Sequence, residues 1–142
     1  FILDKDLKIN KNSFIIKNPK KSKTFIFYVN SNIKKINFLK SKGIKLIKSK
    51  IDNNNNIDLN YVINFAYNNN VASIIVEGGK NLTQSFISKK LFNEFYLFQS
   101  GNKISQKDNI NINKLKKSIE ISFKNKKIVD TYLDKDQIYK YY

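Results

Sequence analysis

The sequence predicts an α/β fold: a mixed sheet of mainly parallel strands, flanking helices and a C-terminal antiparallel hairpin. Three observations carry this prediction. From Thr24 to Phe98, short apolar runs alternate with helical periods, the order of right-handed parallel crossovers. Glu77-Gly-Gly79 stands between an apolar run and an amphipathic helix, the arrangement of a ligand-binding strand end. Near the end, Ile119-Glu-Ile-Ser-Phe123 and Ile128-Val-Asp-Thr-Tyr132 alternate about a polar turn, as paired strands do.

Taken in order, Phe1–Asp4 reads as the end of a buried strand and Asp4–Asn12 as a loop. Ser13–Ile16 reads as a short extended segment, and Asn18–Ser22 as a turn around the only proline. Thr24–Val29 is continuous, β-branched and aromatic, which predicts a strand covered on both faces. Ser31 or Asn32 caps a helix to about Lys42, with Ile33, Ile36 and Leu39 as its apolar stripe. Gly43 ends it in a left-handed conformation. Ile44–Ile47 is the next strand, and Asp52–Asn56 a low-complexity surface insertion.

Asp58 caps the best helical period, Leu59, Val62, Ile63 and Ala66, which Asn68–Asn70 ends. Ser73–Val76 reads as a buried strand, followed by the diglycine turn and a helix to about Lys90. Phe95–Phe98 is another strand, its aromatic cluster expected in the core rather than as a base-stacking platform. Gln99–Asn113 is a polar loop, the predicted hairpin follows, and Tyr139–Tyr142 is a last extended piece.

Composition narrows the chemistry. The 142 residues suit one domain and contain neither Cys nor His. Thiolate metal sites, cysteine nucleophiles and Ser-His-Asp catalysis are excluded within this chain, and no metal site is expected. No apolar run nears the ~20 residues of a membrane span, so no membrane partner and a cytoplasmic protein are expected. The formal charge of +16 comes from lysine alone, with no Arg. Lys, Asn, Ile, Phe and Tyr are residues of AT-rich codons, and Arg suits bidentate base recognition best. A solvated lysine surface is therefore expected, with no nucleic-acid partner; a basic nucleic-acid-binding module is the alternative of another class.

Ser73–Phe86 is the stretch on which function turns. Glycines let a phosphate approach the backbone, and the free N–H groups of a first helical turn supply donors and a favourable dipole. A tight turn, or a capping role for Glu77, would explain the same residues structurally. Glu94 reads as structural rather than catalytic.

Val76-Glu-Gly-Gly79, Leu82, Ser85-Phe86 and Leu91-Phe-Asn-Glu-Phe-Tyr-Leu97 together resemble a known family. They are similar to the reductase domain of the bifunctional riboflavin-biosynthesis deaminase/reductase, which has a dihydrofolate-reductase-like fold. Ile2-Leu3-Asp4 matches that family's Val-Leu-Asp strand, and Asp134-Lys-Asp136 with Ile138 and Tyr139 is a looser match. The firm resemblance covers residues 71–98. It implies NADPH as cofactor and hydride transfer to the ribose C1′ of 5-amino-6-(5-phosphoribosylamino)uracil, a phosphoribosylaminopyrimidine, giving the ribitylamino product.

The resemblance further implies that Glu77 contacts the substrate. It places the cofactor diphosphate at Gly79, Lys80, Asn81, Leu82, Thr83, Gln84 and Ser85. Lys5 stands where the family often has Ser, near the adenosine ribose 2′-phosphate, and could pair with it as a point charge. A Glu beside the diphosphate would be repelled, so Glu77 is expected on the sugar side. The catalytic proton donor is not assigned. Residues 1–142 are expected to be a partial reductase domain, inactive alone, with its first strand and a zinc deaminase domain earlier in the same full-length chain. A homodimer remains open. A dihydrofolate-reductase-like enzyme for another pteridine or pyrimidine is the nearest rival, although dihydrofolate reductases carry an apolar residue where Glu77 stands.

Overall fold

The computed structural model describes residues 1–21, 23–101, 112–132 and 135–142. Most of the predicted polar loop, Ser22 of the proline turn and Asp134 of the looser match lie outside the described residues. Two compact units, Phe1–Ile74 and Ile75–Tyr142, divide the chain.

The first unit holds a parallel sheet in the order β1 (Ile2–Leu3), β2 (Phe25–Tyr28), β3 (Lys45–Lys48). Its helices are α1 (Phe14–Lys17), α2 (Ile33–Ser41) and α3 (Leu59–Asn68), with a 3₁₀ turn at Pro19–Lys21. Successive residues of β2 point to opposite faces, and both faces are covered as its apolar run implies. Ile26 joins Leu7, Ile16, Leu39 and Ile44 on one side. Phe27 joins Ile57 and Val62 on the other, with Phe25 and Phe65 against it. Burying each such side chain contributes roughly 1.5–3 kcal/mol.

The caps follow their chemistry. Asn32 accepts the Lys35 N–H at 2.8 Å and Asp58 accepts the Asn60 N–H at 3.0 Å. Gly43 sits at φ 78 and closes α2, with the Ile44 N–H donating to the Leu39 carbonyl. Asn70, at φ 57, closes α3 in the same way.

Ser13–Ile16 is not extended. Ser13 stands at the N-cap position of the single helical turn of α1 without a side-chain capping bond, and the turn buries Ile16 in the first cluster. A β-branched run this short satisfies either period, and the core decides between them.

The second unit holds an antiparallel sheet in the order β4 (Phe95–Gln99), β6 (Gln137–Tyr141), β5 (Lys126–Val129), with helices α4 (Lys80–Ser88) and α5 (Ile112–Ser122). The antiparallel hairpin is present with different partners. Ile119–Phe123 does not form its first strand, because Ile119 lies in α5. Leu115 and Ile119, four apart, turn onto the core, while Ile121 is exposed. The alternation of Ile119, Ile121 and Phe123 suits a strand, but one helix face buries more. The hairpin is instead β5 with β6, the latter being the last extended piece.

β4 alternates rather than being covered on both faces. Phe95 and Leu97 pack with Ile87, Ile119 and Tyr141, whereas Phe98 is 69 % exposed. Lys140 bonds Glu94, tying the approach to β4 onto β6. This bond, then that from the Tyr96 hydroxyl, holds the Glu94 carboxyl below its ordinary value. Glu94 in turn holds the Lys140 ammonium above its own. The Glu94 contribution is present above its unfolded value and fades as pH falls through the folded one. The Lys140 contribution is complete below its unfolded value and fades as pH rises through the folded one.

Tyr141 is fully buried, and its hydroxyl has no partner among the described residues. An unpaired buried hydroxyl costs free energy. Tyr141→Phe is therefore expected to leave the denaturation midpoint unchanged or to raise stability by up to about 1 kcal/mol. A clear loss in a urea titration would contradict this account of the cluster.

Candidate functional site

The diglycine turn differs from its predicted surroundings. Ser73–Val76 joins neither sheet, and Ile75 is 87 % exposed. An apolar run becomes a strand only with a ladder partner, and no described residue pairs with this one. The turn therefore follows a connection outside both sheets, not the end of a buried strand.

The two glycines have different reasons to be glycine. At Gly78 a Cβ would lie 2.7 Å from Leu82 Cδ2 and 3.0 Å from Leu82 Cβ. Leu82 is half-buried on the first turn of α4, so a side chain at 78 would force it to shift. At Gly79 a Cβ would meet nothing within 4 Å. Its φ of −69 and ψ of 172 are open to any residue. Neither backbone nor packing requires glycine at 79; a side chain there would fill the space before the helix.

That space faces unused donors. Gly79 is the N-cap of α4 and supplies no capping side chain. The first helical bond runs from the Thr83 N–H to the Gly79 carbonyl at 3.2 Å. The N–H groups of Lys80, Asn81 and Leu82 bond no described residue. Lys80 is exposed beside them. The Thr83 hydroxyl donates to the Gly78 carbonyl at 3.4 Å, and the Ser85 hydroxyl to the Asn81 carbonyl at 2.9 Å. Gln84 is half-buried. Open donors, the positive end of a helix dipole, a mobile ammonium and a side-chain-free approach fit an anionic diphosphate.

Glu77 is exposed and bonds no described residue. It does not cap α4, so the capping role weighed for it is not taken up.

α4 holds its position through Phe86 and Ile87, both buried, and Phe86 stacks on Phe92 at 5.0 Å. Lys90, at φ 53, closes the helix, and the Leu91 N–H returns to the Phe86 carbonyl at 2.9 Å. A lysine in this conformation carries no sequence signal.

Lys5 follows β1 in the first unit. Its carbonyl accepts from the N–H groups of Val29 and Asn30, and its ammonium donates to the Asn55 carbonyl at 2.7 Å. The Asp4 carboxylate accepts the N–H groups of Lys8 and Ile9, shaping the turn after the strand. The reach from Lys5 to Asn55 was not legible in the sequence, because nothing local marks a contact fifty residues away. Among the described residues no group of three or more Asp or Glu could hold a metal, and no helix is long and apolar enough to cross a membrane.

This is a mixed α/β domain with a dihydrofolate-reductase-like fold, and the turn before α4 leaves three N–H groups that bond no described residue. A model of the RibD C-terminal domain matches residues 1–101, and the chain belongs to that family. It is accordingly a reductase domain of riboflavin biosynthesis. The match spans β1 to the end of β4; α5, β5 and β6 lie beyond it. No curated protein matches the chain.

Proposed function

We propose that this domain reduces 5-amino-6-(5-phosphoribosylamino)uracil with NADPH, giving the ribitylamino product. Gly79 carries the reading: it is a glycine that its own backbone and packing among the described residues do not need, set before three N–H donors that bond no described residue. The cofactor diphosphate is assigned to Gly79, Lys80, Asn81, Leu82, Thr83, Gln84 and Ser85. NADPH supplies the hydride for C1′; the chain binds and orients the reactants. Glu77, exposed and bonding no described residue, accepts hydroxyl hydrogen bonds from the substrate sugar. A cytoplasmic setting suits such an enzyme, and a zinc deaminase domain in the complete protein would supply its substrate.

The test is substrate-dependent NADPH oxidation by the complete protein, followed by absorbance. Turnover is expected with the phosphoribosylaminopyrimidine and not with dihydrofolate. Turnover with dihydrofolate alone would replace this reading with the rival pteridine reductase.

A further inference from the structure

The aromatic cluster of the second unit lies on one face of its sheet. Phe95 and Leu97 of β4 and Tyr139 and Tyr141 of β6 pack there with Ile87 of α4 and Ile119 of α5. Strand residues alternate, so their neighbours stand on the other face. The register aligns those neighbours in two rows. Tyr96, Lys140 and Lys127 form one, and Phe98, Ile138 and Val129 form the other. Phe98 is 69 % exposed, Tyr96 45 %, and Tyr142, beyond Lys140 on the same face, 47 %. A single exposed apolar residue is ordinary, but a contiguous apolar and aromatic face marks an interaction surface.

Charge decides what fits it. The chain carries a formal +16, so two copies repel wherever lysines meet. On this face the central cation is compensated. Lys140 bonds the Glu94 carboxylate and lies over the rings of Tyr96 and Tyr142, at 5.4 and 5.7 Å from their centroids. Glu94 also accepts the Tyr96 hydroxyl at 3.1 Å, which holds the carboxylate at the β4 margin. Lys127 stands exposed on β5, at the opposite margin. Acid and base thus flank the face, and so do the large ring of Phe98 and the smaller side chain of Val129.

Such a pattern complements itself. A two-fold axis along β6 sets β4 of each copy over β5 of the other. Glu94 then faces the partner's Lys127, and Phe98 faces the partner's Val129, with Ile138 near the axis. A nucleic-acid strand is matched less well, because Lys140 already covers the Tyr96 ring and Glu94 would face phosphates.

We propose that the outer face of the β4–β6–β5 sheet is a self-docking surface, on which two copies of this chain pair about a two-fold axis along β6. The pairing does not depend on the reading of the diglycine turn.

The experiment is sedimentation velocity of the complete protein over a concentration series, with wild type, Phe98→Asp, Lys127→Glu and Tyr67→Asp. Phe98, Lys127 and Tyr67 are all exposed, and thermal melts confirm that each variant folds. Wild type should dimerise by about 100 μM, as suits a contact of the smaller size class. Phe98→Asp should weaken the dimer roughly 100-fold or more, since a two-fold contact loses the ring twice. Lys127→Glu lowers the charge of each chain and so relieves general repulsion. It should nevertheless weaken the dimer roughly three- to tenfold, because acid then meets the partner's Glu94. Tyr67→Asp, on α3 of the first unit, should leave the dimer unchanged. A wild type that stays monomeric through this range, or a dimer untouched by Phe98→Asp, overturns the proposal. So does a dimer that tightens in Lys127→Glu, or one that Tyr67→Asp weakens as much as Phe98→Asp does.

Discussion

Gly79→Asp is expected to lower NADPH affinity on the order of 100-fold without loss of stability. The two halves of this expectation have separate causes. Gly79 is an N-cap with ordinary dihedrals and open space above it, so an aspartate fits. Asp is a better N-cap than Gly by a few tenths of a kcal/mol, because its carboxylate accepts the free N–H groups of the next residues. That same carboxylate consumes the donors assigned to the diphosphate and places a negative charge beside it. Lost charge-assisted bonds of about 1.5–3 kcal/mol each, with repulsion added, support about 3 kcal/mol in binding. Gly78→Ala should behave in the opposite sense. Its methyl group would press on Leu82, costing roughly 1–3 kcal/mol in stability. Denaturation curves and NADPH titrations on the two variants check the contrast. Unchanged NADPH affinity in a folded Gly79→Asp would sink the site assignment.

Phe27→Ala is expected to cost about 3–5 kcal/mol in stability. Phe27 is fully buried at the centre of the parallel sheet. Its ring meets Phe65 edge-on at 5.2 Å and Phe1 at 5.4 Å, while Phe65 also meets Phe25 at 5.4 Å. Truncation removes transfer free energy and the aromatic contacts, and leaves a cavity that β2 and α3 cannot close without moving. Domains are stable by only about 5–15 kcal/mol, so much of the margin goes with this one ring. Tyr67→Ala is the control: it lies on the same helix as Phe65 but is 78 % exposed, and it should fall within about 0.5 kcal/mol of wild type. Urea unfolding monitored by circular dichroism reads both. A loss below about 1 kcal/mol in Phe27→Ala would contradict the packing described here.

Much of the first unit was legible because its signals are local. Phe25–Tyr28 has no polar residue to place in water, so it had to be covered on both faces. Gly43 and Asp58 announce a helix end and a helix start through their own backbone and side-chain chemistry. The errors came where two periods fit. Ile119–Phe123 alternates like a strand, but Leu115 lies one turn before Ile119, and the helix takes both inward. Ser13–Ile16 was too short to show a period. Ser73–Val76 reads as buried from its composition, although strand formation depends on a neighbour that composition cannot supply.

The candidate site was legible in outline only. The residues around Gly79 are recognisable as a turn that opens a helix, and the phosphate assigned to them is part of the proposal. The difference between position 78, where a Cβ would press on Leu82, and position 79, where a Cβ would meet no described residue within 4 Å, required three-dimensional distances. Likewise Lys5 could be marked as a charge near a strand end, but not as one anchored by Asn55.

The most direct test of the central claim follows the hydrogen. The complete protein would be incubated with 5-amino-6-(5-phosphoribosylamino)uracil and NADPH deuterated at the transferable nicotinamide position, and the product examined by NMR. Deuterium at C1′ of a ribitylamino product is the predicted result. A ribitylamino product without deuterium at C1′, or no reduction of this substrate, would contradict the account.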